Sequence, residues 1–335
     1  MKSFKTVDNY KSALTLRETQ RAIKLIKDTF SAELAAALNL ERVSAPLFLK
    51  KGSGLNDDLN GVERKVEFDI KETGESAEVV QSLAKWKRMA LARFGFKPGE
   101  GIFTDMNAIR RDDDMDNDHS IFVDQWDWEK VITAESRNLE FLKETVNKIV
   151  AAVIRTEKKV NAEFPALKTD LCDTVTFITS QELEDLYPEL APKQRENEFV
   201  KEHKTAFVMQ IGYELKSGQK HDGRAPDYDD WNLNGDLLFW NDVLEKAIEI
   251  SSMGIRVDSD SLVKQLKTAG CEDRLQFDFH KRIADGTLPL TIGGGIGQSR
   301  MCMLLLGKMH IGEVQSSVWG EDVISKCREL GIELL

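Results

Sequence analysis

Cysteine is scarce in this 335-residue chain: only Cys172, Cys271, Cys302 and Cys327. None forms a C-x-x-C pair and none lies near a histidine at zinc-ligand spacing, which excludes a disulfide framework or a zinc module and points to thiols in a reducing cytoplasm. Histidine is limited to five positions, none beside a serine or cysteine that suggests a catalytic triad. Long apolar runs are missing as well. No stretch approaches a membrane span, and the start, Met1-Lys-Ser-Phe-Lys-Thr-Val-Asp8, lacks an apolar signal core, so the expectation is a cytoplasmic protein with no membrane contact. Positive charge is in deficit, 46 Lys and Arg against 57 Asp and Glu, for a net charge of −11. Nucleic acid is therefore not an expected partner, and any anionic ligand must meet local cations. Repeats, low-complexity tracts and linkers are also absent, which implies one domain over residues 1–335.

What is present reads as an α+β protein. Ile23, Ile26, Phe30, Leu34 and Leu38 mark one face of an N-terminal helix, and Leu139, Leu142, Val146, Ile149 and Val153 mark a second. Pro46 keeps residues 43–49 extended. Residues 65–71 alternate, with Val66, Phe68 and Ile70 on one side, predicting a half-buried strand. Gly74 turns the chain back into residues 77–80, and a helix follows near 82–94. Further strands are expected at 101–110, 119–129, 174–178, 206–211, 233–240 and 248–257. Helices are expected after the capping pattern Thr179-x-x-Glu182 and at 261–269 and 272–285. The strands are often consecutive, which predicts an antiparallel β-sheet flanked by helices.

Two stretches carry chemistry. Thr291-Ile-Gly-Gly-Gly-Ile-Gly-Gln-Ser-Arg300 has no lysine for a Walker loop, and Gln298 stands where a dinucleotide fingerprint needs glycine. Glycines there let backbone pass against a flat ring, with Arg300 in the first turn of a buried last helix, over the ring or on a phosphate. A tight strand-to-helix packing contact with a surface arginine explains the same residues. In the second stretch, period two puts Val123, Gln125, Asp127 and Glu129 on one face and Phe122, Trp126 and Trp128 on the other. That polar face must look onto bulk water or a site.

Arg110, the acidic loop, His119 and the following strand, together with Gly-Gly-Gly-Ile-Gly-x-x-Arg300, resemble motifs 2 and 3 of class II aminoacyl-tRNA synthetases. Residues 43–46 resemble motif 1, whose proline sits at a dimer interface. Glu249-Ile-Ser-Ser-Met-Gly-Ile-Arg256 is similar to a Mg2+-binding segment of the aspartyl and asparaginyl members. The resemblance is closer still to the ammonia-dependent aspartate–ammonia ligase family, asparagine synthetase A. It is carried by Asp57-Asp-Leu-Asn-Gly61, residues 81–88, 123–129, Arg224-Ala-Pro-Asp-Tyr-Asp-Asp-Trp231, Leu233-Asn-Gly-Asp236, and residues 249–258 and 291–300.

The resemblance implies a class II synthetase-like catalytic domain in a homodimer. It also implies conversion of L-aspartate, ATP and ammonia to asparagine, AMP and pyrophosphate through a β-aspartyl adenylate. Asp57, Arg110 and Gln125 become the expected catalytic residues: Asp57 holds ammonium and accepts a proton, Arg110 grips the α-phosphate and reacting carboxylate, and Gln125 binds that carboxylate. Ser82, Lys87, Asp127, Asp229, Ser252 and Arg256 become the expected aspartate site. Gly293, Gly294, Gly295, Gly297 and Arg300, with Arg110, become the expected ATP site, and Asp236 and Glu249 the Mg2+ ligands. Taken alone, each has an ordinary explanation: a turn-flanking charge for Arg110, a solvated helix face for Lys85 and Lys87, a loop aspartate for Asp57, strand-end acids for Asp236 and Glu249. Lys2 and the surroundings of the cysteines supply no nucleophile for glutamine hydrolysis, so free ammonia is the expected nitrogen donor. The alternatives are an enzyme that charges tRNA with aspartate or asparagine, and a non-catalytic paralogue that binds an amino acid.

Overall fold

The computed structural model describes residues 4–59 and 61–335. Residues 1–3, where the N-terminal stretch begins, and Asn60, in the loop before Gly61, lie outside them. Eight strands form the central sheet: β1 (Leu40–Arg42), β5 (Gly101–Ile109), β6 (Phe122–Val131), β7 (Thr176–Thr179), β8 (Thr205–Met209), β9 (Asp229–Asn241), β10 (Lys246–Arg256) and β11 (Thr291–Gly297). Their order is β1-β5-β6-β11-β10-β9-β8-β7. Six strands pair antiparallel, as expected. The two edge strands do not: β1 runs parallel to β5, and β7 parallel to β8, so the sheet is mixed.

The N-terminal helix α1 (Leu16–Leu38) opens on a capping box at Thr15 and Glu18, and α3 (Leu139–Glu163) is capped by Asn138. Both bury their predicted apolar stripes on one sheet face, together with α8 (Gln298–Leu305). The other face is covered only in part. Helix α2 (Ala84–Phe94) lies over β5 and β6 through Ala90, Leu91, Ile102 and Val131. Helices α4 (Ser180–Leu186) and α5 (Pro192–His203) lie over β7 to β9 through Leu183, Phe199, Val208 and Leu238. Between these covers, β6, β11 and β10 stay accessible from one side.

Several expectations change here. The glycine run is itself a strand, and the helix that carries Arg300 in its first turn, α8, starts directly after it at Gln298 but is not the last, since α9 (Glu321–Glu329) follows. Strand β3 (Glu67–Ile70) exists but is not half-buried. It is the edge of a small sheet with β2 (Phe48–Lys50) and β4 (Glu75–Val79), and Phe68 keeps 39% of its surface exposed beside Phe48. Strand β9 starts at Asp229, four residues before the expected start, so Trp231 and Leu233 are not separated by a linker. The segment read as one helix at 272–285 divides into a 3-10 turn, Glu272–Gln276, and α7 (Asp278–Ala284), after α6 (Ser259–Ala269). Lys85 and Lys87 are buried, not solvated.

His310 shows how burial sets a pH limit. Its Nδ1 accepts a hydrogen bond from the Gly312 N–H, so that nitrogen carries no proton. Burial lowers its pKa from 6.5 to about 4. The unfolded chain therefore binds the proton more readily, and stability from this group is complete above pH 6.5 and is lost as pH falls toward 4, by roughly 3 kcal/mol at most. Thermal melts from pH 7 to 4 should show a shallower loss of Tm for His310→Asn, which keeps an acceptor and does not titrate.

Candidate active site

Strand register builds the site. Directly opposed residues share a sheet face. One row crosses four strands: Asp127 on β6 faces Gly295 on β11, which faces Ser252 on β10, which faces Asp236 on β9. The next row places Glu129 opposite Gly293. On this face β11 thus contributes bare backbone between polar strands, and a trench follows its length. Gly294 points the other way, where an added Cβ would meet the Met253 side chain and lie 2.7 Å from the Ser252 carbonyl oxygen.

Two cavities, about 550 Å3 and about 240 Å3, occupy this face. The larger is bordered by Gly295, Gly297, Arg300, Asp116, Asp118 and His119. The smaller is bordered by Asp57, Ser82, Asp127, Asp229, Ser252 and Arg256, with Gly294, Arg224 and Tyr228. Arg110, Gln125, Glu249 and Gly295 border both. Of the residues expected at ATP, Gly297 and Arg300 border only the larger space and Gly294 only the smaller; those expected at aspartate, Lys87 excepted, border only the smaller, and two of the three expected catalytic residues stand where the spaces meet. The third, Asp57, lies in the smaller one.

Asp57 is held tightly. Its Oδ2 accepts from the Ser82 hydroxyl at 2.6 Å and the Tyr228 hydroxyl at 3.1 Å, and its Oδ1 accepts from the Leu59 N–H at 2.9 Å. Burial, then the nearby Asp57 and Asp229 charges, push the Tyr228 hydroxyl well above its ordinary pKa, so it remains a donor. Arg110 donates to the Gln81 carbonyl at 3.3 Å. Arg300 donates to the backbone carbonyls of Asp118 and Glu249, at 3.2 and 3.1 Å. That fixes the guanidinium over the glycine strand. Burial and Arg300 oppose charge on His119, but Asp116 and Asp118 hold its pKa above the usual value.

Three expected residues lie behind the cavity walls. Lys87 ion-pairs with Asp127 and donates to the Trp128 carbonyl at 2.8 Å. It supports Asp127 from the α2 side and does not border either cavity. Burial raises the Asp127 carboxyl more than Lys87 lowers it. Gly293 lies under Arg256, which pairs with Glu129 and Asp229 and stands 5.6 Å above the Tyr228 ring. Burial opposes the Glu129 charge, but Arg256 and Lys87 hold its pKa below the usual range. Asp236 is covered by Arg224, which reaches its Oδ1 at 2.7 Å.

Asp236 and Glu249 fit a hard cation in their chemistry. They offer carboxylate oxygens from neighbouring strands, and burial, with Asp236 second, raises the Glu249 carboxyl. Such a pair suits Mg2+, whose sites use one or two carboxylates plus phosphate oxygens. Sequence reasoning quoted Arg224, Tyr228 and Glu129 inside larger stretches but assigned them no role. For Glu129 the signal was the alternation of β6; for the other two there was no periodic signal.

A family profile described as Aspartate-ammonia ligase matches residues 17–331. The chain belongs to the aspartate–ammonia ligase family. The aspartate–ammonia ligase of Ruminiclostridium cellulolyticum is 60% identical over 336 residues, covering 100% of both chains. That of Clostridium tetani is 60% identical over 327 residues, 97% of this chain and 96% of its own. Among solved structures, the Entamoeba histolytica asparaginyl-tRNA synthetase in complex with asparaginyl-adenylate aligns with a TM-score of 0.64 at 15% identity, over 90% of this chain and 66% of that one. The Pyrococcus horikoshii asparaginyl-tRNA synthetase complexed with asparaginyl-adenylate aligns with a TM-score of 0.62 at 17% identity, over 89% and 68%. At those identities the likeness shows the fold, a class II aminoacyl-tRNA synthetase one.

The two glycine faces predict different outcomes in this ligase. Gly294→Ala must separate β11 from β10 and should cost about 1–3 kcal/mol in a denaturant melt. Gly295→Ala meets the end of the movable Gln125 side chain, so it should leave stability closer to the parent and raise the KM for substrates instead.

Proposed function

We propose that this chain amidates L-aspartate with ammonia in two steps, and that the carrying observation is the placement of Arg110, Gln125 and Glu249 where the two cavities meet. ATP occupies the larger space, its adenine along the glycine strand under Arg300. Aspartate occupies the smaller one, its ammonium toward Asp127 and Asp229 and its α-carboxylate toward Arg256 and Ser252. The expected Lys87 contact acts through Asp127, or directly once that pair opens.

A carboxylate is a poor acyl donor, because its leaving group would be oxide. In the first step a side-chain oxygen attacks the α-phosphorus and pyrophosphate leaves. Two like charges 4 Å apart repel by about 4 kcal/mol at an effective dielectric near 20, so the Arg110 guanidinium at the junction lowers this barrier. Gln125 orients the carboxylate by hydrogen bonding. Asp236 and Glu249 would hold Mg2+, which when bound neutralises charge on the triphosphate. In the second step nitrogen attacks the acyl carbon of the aspartyl adenylate, and AMP leaves with the former side-chain oxygen. Asp57, fixed by Ser82 and Tyr228, holds ammonium and takes the proton it releases.

We read residues 43–49 as the contact of a homodimer: Leu47 is 53% and Phe48 46% exposed. The cytoplasm is the proposed place of action. All four cysteines are free, and burial pushes the Cys302 thiol up to about 12 and the Cys327 thiol up to about 11. No helix among the described residues is long and apolar enough to cross a membrane.

A mixture of ATP, Mg2+, ammonium and aspartate labelled with 18O in its side chain should yield asparagine and labelled AMP without tRNA. Unlabelled AMP would refute the adenylate, and equal rates with glutamine would refute free ammonia. Asp57→Ala should keep aspartate-dependent exchange of pyrophosphate into ATP, while asparagine formation falls by about 10²–10⁴-fold. Arg300→Ala should lose about 10²-fold or more of the exchange itself.

A further inference from the structure

Arg224 has an unusual position for a residue beside a metal site. It sits in the loop before β9, and one terminal nitrogen donates to Asp236 Oδ1 at 2.7 Å while the other donates to the Ser252 hydroxyl. The side chain keeps only 9% of its surface exposed. Its Nε–H is buried and has no protein partner. Arg224 borders the smaller cavity, and Arg110, Glu249 and Gly295 border both that cavity and the larger one.

These facts bear on how a divalent cation reaches Asp236. A buried carboxylate that already accepts a charge-assisted bond is a weak ligand, because the metal must first displace the guanidinium. Displacement is favoured only when something else receives the guanidinium. A triphosphate whose phosphates reach past the junction at Gly295 and Glu249 supplies anionic oxygens, and the Nε–H, buried and unpartnered while Arg224 covers Asp236, gains a partner once the side chain swings toward them. We propose that Arg224 holds Asp236 closed to divalent metal until nucleotide arrives, so that the ion comes in with the triphosphate and not ahead of it. This inference rests on the reading of Asp236 and Glu249 as the metal ligands.

Mn2+ binding to the nucleotide-free protein, followed by electron paramagnetic resonance, tests it without any turnover. The native protein should bind Mn2+ weakly, and Arg224→Gln should bind it at least ten-fold tighter. Adding Asp236→Asn to Arg224→Gln should abolish the gain. Equal affinity for the native protein and Arg224→Gln would overturn the proposal. Tight Mn2+ binding to Arg224→Gln that survives both Asp236→Asn and Glu249→Gln would instead overturn the assignment of the metal ligands, and the proposal with it. Arg224→Gln leaves a buried carboxylate unpaired and is at risk of misfolding. Ser252→Ala is the milder variant: it removes one of the two acceptors that hold the guanidinium and should tighten Mn2+ about three-fold. No tightening in a folded Ser252→Ala protein counts against the gate.

Discussion

The site depends on one buried cation reaching across a strand. Arg256 stands on β10, yet two of its nitrogens bond Glu129 on β6, with β11 between them. The reach exists because Gly293, at the crossing point, has no side chain: a Cβ there would fall on the Glu129 carboxylate and lie 2.7 Å from the Arg256 NH2. A further arm takes Asp229 on β9. One guanidinium therefore ties together the positions of three strands and holds Asp229, one of the two acids toward which a substrate ammonium is proposed to point. Burying this many charges costs several kcal/mol per ion unless each is paired, and here each is. Removal of one member leaves the others uncompensated, so the network is a matter of geometry first and of net stability only second.

The same logic runs through the neighbouring groups. Lys87 balances Asp127 and Glu129 from α2, which lies over the same sheet face. Asp227 is fully buried among Lys85, Arg274 and His280, and its neighbour Tyr228 reaches Asp57. Asp58, next to Asp57, bonds Lys65 and lies 3.4 Å from Arg274. The loop carrying Asp57 and the segment carrying Tyr228 are thus anchored by the residues just before and after those that face the cavity. A carboxylate meant to receive a proton at a fixed place needs such support, since a displacement of about an ångström is costly in rate.

Much of this was legible in the sequence, and for physical reasons. The stripe of α1 and the alternation of β6 are strong because one face is apolar and the other is not: Trp126 and Trp128 are fully buried in the core, while Gln125 and Asp127 border the cavities and Glu129 pairs with Arg256. The family words in their order carried the expected site, and the matching profile and relatives bear out the family. The glycine run announced neither strand nor helix, because glycine has no side chain to show a period; only the helix behind it, with Arg300 in its first turn, was legible. Helix α5 was missed because Pro192-Lys-Gln-Arg-Glu-Asn-Glu-Phe199-Val-Lys-Glu-His203 is nearly all polar; its buried apolar residues are Phe199 and Val200, and its other buried anchors, Arg195 and Glu196, take partners on other segments. Lys85 and Lys87 looked like a solvated face, since burial of a lysine follows from acids supplied by distant strands, and no local pattern announces those.

Omitting side chains from one strand of a sheet gives a slot of a particular shape. It is as long as the strand and about 5 Å wide per strand spacing, with neighbours on both sides that keep their side chains. Two occupants of such a slot have no room to lie abreast; they meet end to end. On the proposed placement of ATP and aspartate, their order along β11 is then a property of the floor itself, and the walls are left to decide only who they are.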